Sequence, residues 1–193
     1  MLDSRRFSNH HHACRISVQT IDRMNPGYYT FPLEIPRHRI HQRILHSATY
    51  REYIAIAEGN ITEDSGIIDE PVGRKEGSIV EWTVRRDGKT ARTEFAVIER
   101  NENFTVLRLH LLTGRTHQIR VHLSHAGHPL LGDDLYGGDI RLIDRQALHA
   151  FSVRFTHPET GETLYYEAPL PEDMQKLITK ETEKMMKYSE YGL

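Results

Sequence analysis

Short runs of alternating apolar and polar residues, joined by turn signals, recur along the chain between residues 51 and 166. Alternation with a period of two is typical of β-strands that are buried on one face. The runs are Arg51–Ala57, Ile79–Val84, Arg92–Ile98, Phe104–Leu112, Ser152–Phe155 and Thr163–Tyr166. Because short turns, and not long helical crossovers, join them, we predict an α+β fold with a largely antiparallel sheet.

The turns between these runs predict particular pairings. Asp87-Gly88 predicts a hairpin between Ile79–Val84 and Arg92–Ile98, and Pro158–Gly161 predicts a hairpin near the end of the chain. Nearer the start, Ile16–Ile21 and Tyr28–Phe31 are two short predicted strands.

Helices are expected at two further places. The spacing of apolar residues predicts a short helix over His38–Leu45. A terminal helix is expected to begin at Pro171, because proline is favoured at the first helical position.

Composition excludes several classes of protein. A chain of 193 residues is long enough for one domain, and its 25 Lys and Arg against 27 Asp and Glu give a formal net charge of −2. A strongly basic nucleic-acid-binding domain is therefore excluded, whereas a local basic cleft is not. Cys14 is the only cysteine, which excludes an intrachain disulfide and a four-cysteine zinc site. With no apolar run of about 20 residues and no secretory start, we expect a cytoplasmic protein without membrane contact.

The most informative segment is Leu111–Leu123, which follows a predicted strand. Thr113 is a candidate N-cap, and a helix from about His117 would place Arg120 one turn after Thr116. A glycine-rich stretch, Gly127–Gly138, comes next. From the residues alone, a functional site and a capped helix with a solvated polar face are equally open.

The same segment carries a resemblance to a known family. Thr113–His122 (TGRTHQIRVH), followed by Gly127–Asp133 (GHPLLGD) and Tyr136-Gly137, resembles the signature of the RluA-type pseudouridine synthases. Further matches lie at Arg51–Ala55, where Arg51 stands for the family's lysine, and at Pro71–Arg74, Gly88–Thr93, Arg145–Ala150, Phe155–Pro158 and Ala168–Pro171. The matches run in order from about Tyr50 to Asp173.

The resemblance implies a pseudouridine-synthase-like fold, in which a mixed, mainly antiparallel sheet flanked by helices and loops surrounds a central cleft. It also implies an isomerase that needs neither a cofactor nor a metal and acts on ribosomal or transfer RNA. Such an enzyme flips a uridine out of the RNA, breaks its glycosidic bond, rotates the uracil and rejoins it through C5. The resemblance gives no oligomeric state.

The family's catalytic aspartate motif, His-Arg-Leu-Asp-Arg-x-Thr-Ser-Gly, aligns with Gln19–Gly27, where Asp22, Arg23 and Gly27 match. The resemblance therefore assigns Asp22 as the nucleophile, or as the base that starts glycosidic cleavage. Arg120 would pair with Asp22 and hold it ionised, as an adjacent guanidinium does for a carboxylate.

Other roles also follow from the resemblance. Tyr53 would stack on the uracil and assist removal of the C5 proton, and Leu148 would form an apolar wall. Arg115, His117 and Gln118 would contact the RNA backbone or support the residues that do.

The alignment also predicts how the chain is divided. Residues 1–17 form a segment without a firm element, and residues 18–193 form the catalytic domain. Only 21 residues precede Asp22, so we expect this domain to lack the family's first strands. Because Thr20 and Asn25-Pro26 depart from the motif, an alternative is a catalytically impaired RNA-binding remnant of the family.

A second alternative comes from the histidines alone. His117, His122, His125 and His128 would form the site of a metal hydrolase, since histidine is the commonest metal ligand. Their spacing matches no standard zinc motif and lacks the glutamate of His-Glu-x-x-His, so this is the minor alternative.

Overall fold

A computed structural model of the chain describes residues 14–18, 29–33, 50–157 and 160–179. The strands are β1 (Cys14–Val18), β2 (Tyr29–Leu33), β3 (Tyr50–Glu58), β4 (Ser65–Asp69), β5 (Val72–Arg74), β6 (Trp82–Val84), β7 (Arg92–Arg100), β8 (Phe104–Leu111), β9 (Leu148–Thr156) and β10 (Thr163–Glu167). The helices are α1 (Gln118–His125), a short 3-10 turn (Asp134–Tyr136) and α2 (172–179).

Six of these strands form one sheet in the order β10-β9-β3-β8-β7-β4, and all neighbours in it are antiparallel. Two smaller antiparallel pairs join β1 to β2 and β5 to β6. The predicted α+β class with a mainly antiparallel sheet is confirmed. Within the described ranges, no helix is long and apolar enough to cross a membrane.

The centre of the sheet is β3, whose residues Tyr53–Ala57 are all buried because both faces of the strand are covered. On one face, Ala55 packs in a cluster with Leu109 and with Ile119 of α1. On the other face, Ile56 packs in a cluster with Met174 of α2. The two helices therefore cover opposite faces of the sheet.

One predicted hairpin is confirmed and one is wrong. Strands β9 and β10 pair as expected, but β6 pairs with β5, while β7 pairs with β4 and β8. The cause lies after the Asp87-Gly88 turn, where Lys89 and Val72 exchange backbone hydrogen bonds of 2.9 Å. This bridge returns the chain to β5 before β7 enters the large sheet.

The start of the chain differs from prediction in one respect. Strand β1 begins at Cys14, earlier than Ile16 and inside the segment 1–17 for which no firm element is predicted. Asp22 and the predicted helix His38–Leu45 lie outside the described residues. At the other end, the expected terminal helix is present as α2 and follows Pro171 directly.

Candidate active site

A recess lies where β3, β9 and the first turn of α1 meet, and we call it the Tyr53 recess. It is lined by Tyr53, Leu111, Arg115, His117, Gln118, Ile119, Arg120, Gln146, Leu148 and Ala150. Tyr53, Arg115, His117, Gln118, Arg120 and Leu148 were all predicted from the sequence to belong to one site. The structure brings these six side chains together, and the roles assigned to them stay predictions.

Tyr53 reaches the recess from β3, between Leu109 on β8 and Ala150 on β9. The pairing of β3 with β9 shifts register between Glu52 and Tyr53, because β9 carries an extra residue, Phe151, at that point. The side chain of Tyr53 is only 5% exposed. Burial raises the pKa of its phenol, and the charge of Arg51 opposes that rise without cancelling it. Tyr53 therefore presents a neutral phenol at neutral pH.

The first turn of α1 has an unusual backbone. His117 caps the helix with φ of 55°, a left-handed conformation that costs a non-glycine residue roughly 1 kcal/mol. No side chain caps this helix, so the predicted N-cap role of Thr113 is wrong. Nδ1 of the His117 imidazole lies 2.7 Å from the hydroxyl oxygen of Tyr136, within hydrogen-bond distance. That hydrogen bond and the packing of the two rings help to hold the strained turn.

Gln118 is 2% exposed, and its amide is fully engaged inside the protein. Its Oε1 accepts hydrogen bonds from the Thr113 hydroxyl at 2.8 Å and from the Arg115 backbone N–H at 2.9 Å. Its Nε2 donates to the Arg92 carbonyl at 2.9 Å and to the Thr93 hydroxyl at 3.0 Å. Of the two roles predicted for Gln118, this geometry favours support of its neighbours over direct contact with RNA.

Arg120 is 7% exposed and forms a bidentate ion pair with Asp133. Its Nε and Nη2 donate to the two carboxylate oxygens at 2.7 Å and 2.6 Å. The guanidinium also lies over the ring of Tyr136, 4.7 Å from its centroid. The paired hydrogen bonds between the guanidinium and the carboxylate, together with the contact with the Tyr136 ring, fix the orientation of the Arg120 side chain.

Sequence reasoning missed Asp133 and Tyr136 as parts of the site. Both belong to the Gly-Asp and Tyr-Gly motifs that carry the family resemblance, and that was the available signal. The hydroxyl of Tyr136 also accepts the backbone N–H of Trp82 at 3.0 Å, and its carbonyl accepts the hydroxyl of Ser124 at 2.8 Å. Tyr136 therefore connects α1, β6 and the Arg120–Asp133 pair.

The histidines of the metal-hydrolase alternative have other partners. The ring of His122 lies 2.9 Å from both the Thr93 hydroxyl and the Glu70 carbonyl, and Nδ1 of His128 lies 2.8 Å from the Glu58 carbonyl. Among the residues that the structure describes, no cluster of three or more His, Cys, Asp or Glu side chains is placed to hold a metal ion.

Comparison with known proteins agrees with this architecture. Residues 38–125 match the family model described as RNA pseudouridylate synthase. The uncharacterized RNA pseudouridine synthase YjbO of Bacillus subtilis is 47% identical over 85% of this chain and 58% of its own length. The ribosomal large subunit pseudouridine synthase D of Vibrio cholerae is 39% identical over 90% of this chain and 59% of its own length.

A solved structure is also similar. The human RNA pseudouridylate synthase domain containing 1 superposes with a TM-score of 0.55 and 26% identity, covering 68% of this chain and 65% of the human one. The chain spans about half the length of the curated relatives it matches. From the signature motifs, the sheet and these similarities together, the chain is a member of the RluA-type RNA pseudouridine synthase family.

Proposed function

We propose that this protein converts a uridine of ribosomal or transfer RNA to pseudouridine. The observation that carries the proposal is the Tyr53 recess, which gathers an aromatic ring, an apolar wall and an oriented arginine into one small cavity. Enzymes that act on a base flip it out of the stack and admit that base alone into a pocket lined by aromatic and apolar side chains. Membership of the family supports the same reaction.

The apolar wall and Tyr53 would receive the flipped base. The uracil ring stacks on the phenol of Tyr53 and lies against Leu148 and Ala150, and these contacts offset the few kcal/mol lost on unstacking. Because the wall excludes water, the detached uracil stays in place while it rotates. The N1–C1′ bond breaks, a C5–C1′ bond forms, C5 loses a proton and N1 gains one, so atoms balance without a cofactor.

Arg120 would set the state of the catalytic carboxylate. Asp133 occupies two of the five N–H donors of its guanidinium, and we propose that Asp22 meets the same guanidinium from another side. A neighbouring cation lowers a carboxylate pKa and so keeps Asp22 ionised for attack or proton abstraction. Arg115 and His117, which also line the recess, would contact the RNA backbone or support the residues that do.

The direct test is to incubate the purified protein with ribosomal and transfer RNA and to map pseudouridine chemically. We expect new pseudouridine at discrete positions, and none with Asp22→Ala. Asp64→Ala, which removes a carboxylate that pairs with Arg100 away from the recess, is the matched control and should retain activity. If no RNA gains pseudouridine, or if Asp22→Ala is as active as the control, the catalytic proposal is wrong.

The impaired-remnant alternative predicts a different result in the same experiment. It requires salt-dependent RNA binding, as phosphate contacts produce, without any turnover. Two of the features it depends on are the substitutions at Thr20 and Asn25-Pro26 in the aspartate motif. Turnover by the unmodified chain therefore rejects this alternative.

A further inference from the structure

Two arginines beside the Tyr53 recess differ from most others in the described part of the chain. Elsewhere the typical arginine is paired with a carboxylate, as Arg92 is with Asp69 and Arg145 is with Asp173. Within residues 50–157 and 160–179, neither Arg51 nor Arg115 has a carboxylate partner. Arg74, Arg86 and Arg154 also lack a carboxylate partner within those residues, so Arg51 and Arg115 are distinguished by their position beside one cavity.

Arg51 lies two residues before Tyr53 on β3, and therefore on the same face of the strand. Its Nε is buried and has no hydrogen-bond partner among the described residues, an arrangement that costs free energy. Its Nη2 would lie 3.3 Å from a side-chain carbon placed on Gly114. Because Gly114 does not have a positive φ, its lack of a side chain matters here for space and not for backbone conformation.

Arg115 follows Gly114 and lines the recess. Its backbone N–H donates to Gln118 Oε1 and its Nε donates to the carbonyl of Thr90, both at 2.9 Å. The first bond fixes the backbone at Arg115, and the second restrains the orientation of its guanidinium. Gly114 is exposed. The guanidinium of Arg51, on β3, lies close to it, and Arg115 is the next residue along the chain.

We propose that Arg51 and Arg115 form a phosphodiester-binding pair at the rim of the recess, which holds the RNA backbone phosphate next to the flipped uridine. An anion bound beside the exposed Gly114 would be attracted by the positive charge of both arginines. A phosphate matches the guanidinium fork, and the bare Gly114 lets its oxygens approach closely. This inference rests on the proposed function for the identity of the ligand. Free inorganic phosphate shares the chemistry, so the test separates the two sources.

The test measures binding of single-stranded poly(U) as a function of salt, which needs no turnover. Each phosphate contact contributes about 0.7 to the slope of log K against log salt for a single strand. We expect the double variant Arg51→Gln/Arg115→Gln to lose about 0.7 from the slope, the value for one phosphate. The double control Arg141→Gln/Lys176→Gln removes the same charge from exposed positions outside the recess and should keep the slope of the unmodified protein.

Single variants test whether both arginines serve one phosphate. Arg51→Gln and Arg115→Gln should each weaken binding, and their effects should fall short of additivity if they share a ligand. Arg51→Lys should retain the slope because it retains the charge, while binding more weakly than arginine because it lacks the fork. If Arg51→Gln fails to fold, as judged by thermal unfolding, Arg115→Gln carries the test, since that side chain is half-buried at the rim.

Three results would overturn the proposal. The first is an unchanged slope in Arg51→Gln/Arg115→Gln, and the second is an equal loss in the control. The third is inorganic phosphate that binds the unmodified protein but not Arg51→Gln and leaves poly(U) binding unchanged at constant ionic strength, which would make the pair a free-anion site. Failure of the proposed function has a different signature, namely no pseudouridine in any RNA whatever the slope shows.

Discussion

At the scale of single residues, the pair of Arg120 and Asp133 sets the geometry of the recess. Both side chains are buried, so neither charge is well solvated without the other. The aspartate holds the guanidinium from the side of the Gly127–Gly138 loop, and the ring of Tyr136 covers one face of it. The proposed orientation of Asp22 by Arg120 would benefit from such fixed placement, because small displacements cost rate steeply.

Replacing Asp133 by asparagine should therefore affect both stability and activity. The change removes the charge of the carboxylate that binds the buried guanidinium through two hydrogen bonds. Removing one partner of a buried pair typically destabilises a protein by about 3–5 kcal/mol. We expect a lower urea midpoint and a loss of pseudouridine formation even under conditions where the variant remains folded. Asp139→Asn, which breaks the exposed pair with Arg141, is the control and should leave the urea midpoint unchanged. Equal midpoints for the two variants would show that the buried pair has no special role in stability.

The individual residues of the site were predicted to very different degrees. Tyr53, Arg115, His117, Gln118, Arg120 and Leu148 could be named from motifs that keep their spacing in the sequence. Asp133 could not be named as the partner of Arg120, since the pairing depends on how the glycine-rich loop folds back on α1. Thr113 was misassigned as a cap because local propensity cannot show that its hydroxyl is engaged by the Gln118 side chain.

At the scale of elements, the loop between α1 and β9 depends on close backbone approaches. Gly132 has φ of 74°, and a side-chain carbon there would overlap the carbonyl oxygen of Arg145. It directly precedes Asp133, so any shift at this position moves the partner of Arg120. The loop can bring Asp133 under α1 only while this residue is glycine.

Gly132→Ala should consequently lower the stability of the protein far more than Gly77→Ala, although the two glycines have the same φ. Gly77 also has φ of 74° but has no atom within 4 Å of the added carbon. Gly77→Ala therefore reports only the conformational cost, about 1 kcal/mol. We expect thermal unfolding to show that cost for Gly77→Ala and a clearly larger loss for Gly132→Ala. Equal losses would mean that the loop can relax around the extra carbon.

The pairing of two strands could be predicted from the sequence where the turn between them alone determines it, and not where a third strand competes. The β9–β10 hairpin follows from a local turn between two alternating runs. The run Ile79–Val84 has an equally good turn after it, yet the bridge between Lys89 and Val72 directs β6 to β5. Competition with a third strand is a tertiary effect that local turn chemistry does not encode.

At the scale of the whole molecule, two buried histidines make stability depend on pH. Burial lowers the pKa of His122 and also lowers the pKa of His149 below the ordinary value of 6.5. The unfolded chain then binds more protons than the folded one once the pH falls below about 6.5. The stabilisation from these neutral imidazoles is complete above that pH and decreases as the pH falls towards their folded pKa values.

We therefore expect the urea midpoint to fall between about pH 7.5 and pH 5.5, a window in which ordinary carboxylates stay ionised. The double variant His122→Gln/His149→Gln has no imidazole to protonate at either place and should show a smaller pH dependence. Its glutamine amides can still donate to the Glu70 and Ala168 carbonyls that the imidazoles contact. A pH dependence as steep as that of the unmodified protein would show that other groups cause it.

The sheet order also has a consequence for how the protein comes to fold. Of the five strand pairings in the large sheet, only β9–β10 and β7–β8 join strands that are consecutive along the chain. The widest separation is between β3 and β9, where Tyr50 pairs with Arg154. Pairings of such long sequence separation form late, because the entropy of closing the intervening loop is lost first. Tyr53 lies on one side of this seam, and Leu148 and Ala150 lie on the other. A nascent chain that ends before β9 thus already carries the signature helix but has no cavity, and the recess is completed only by the last closure of the sheet.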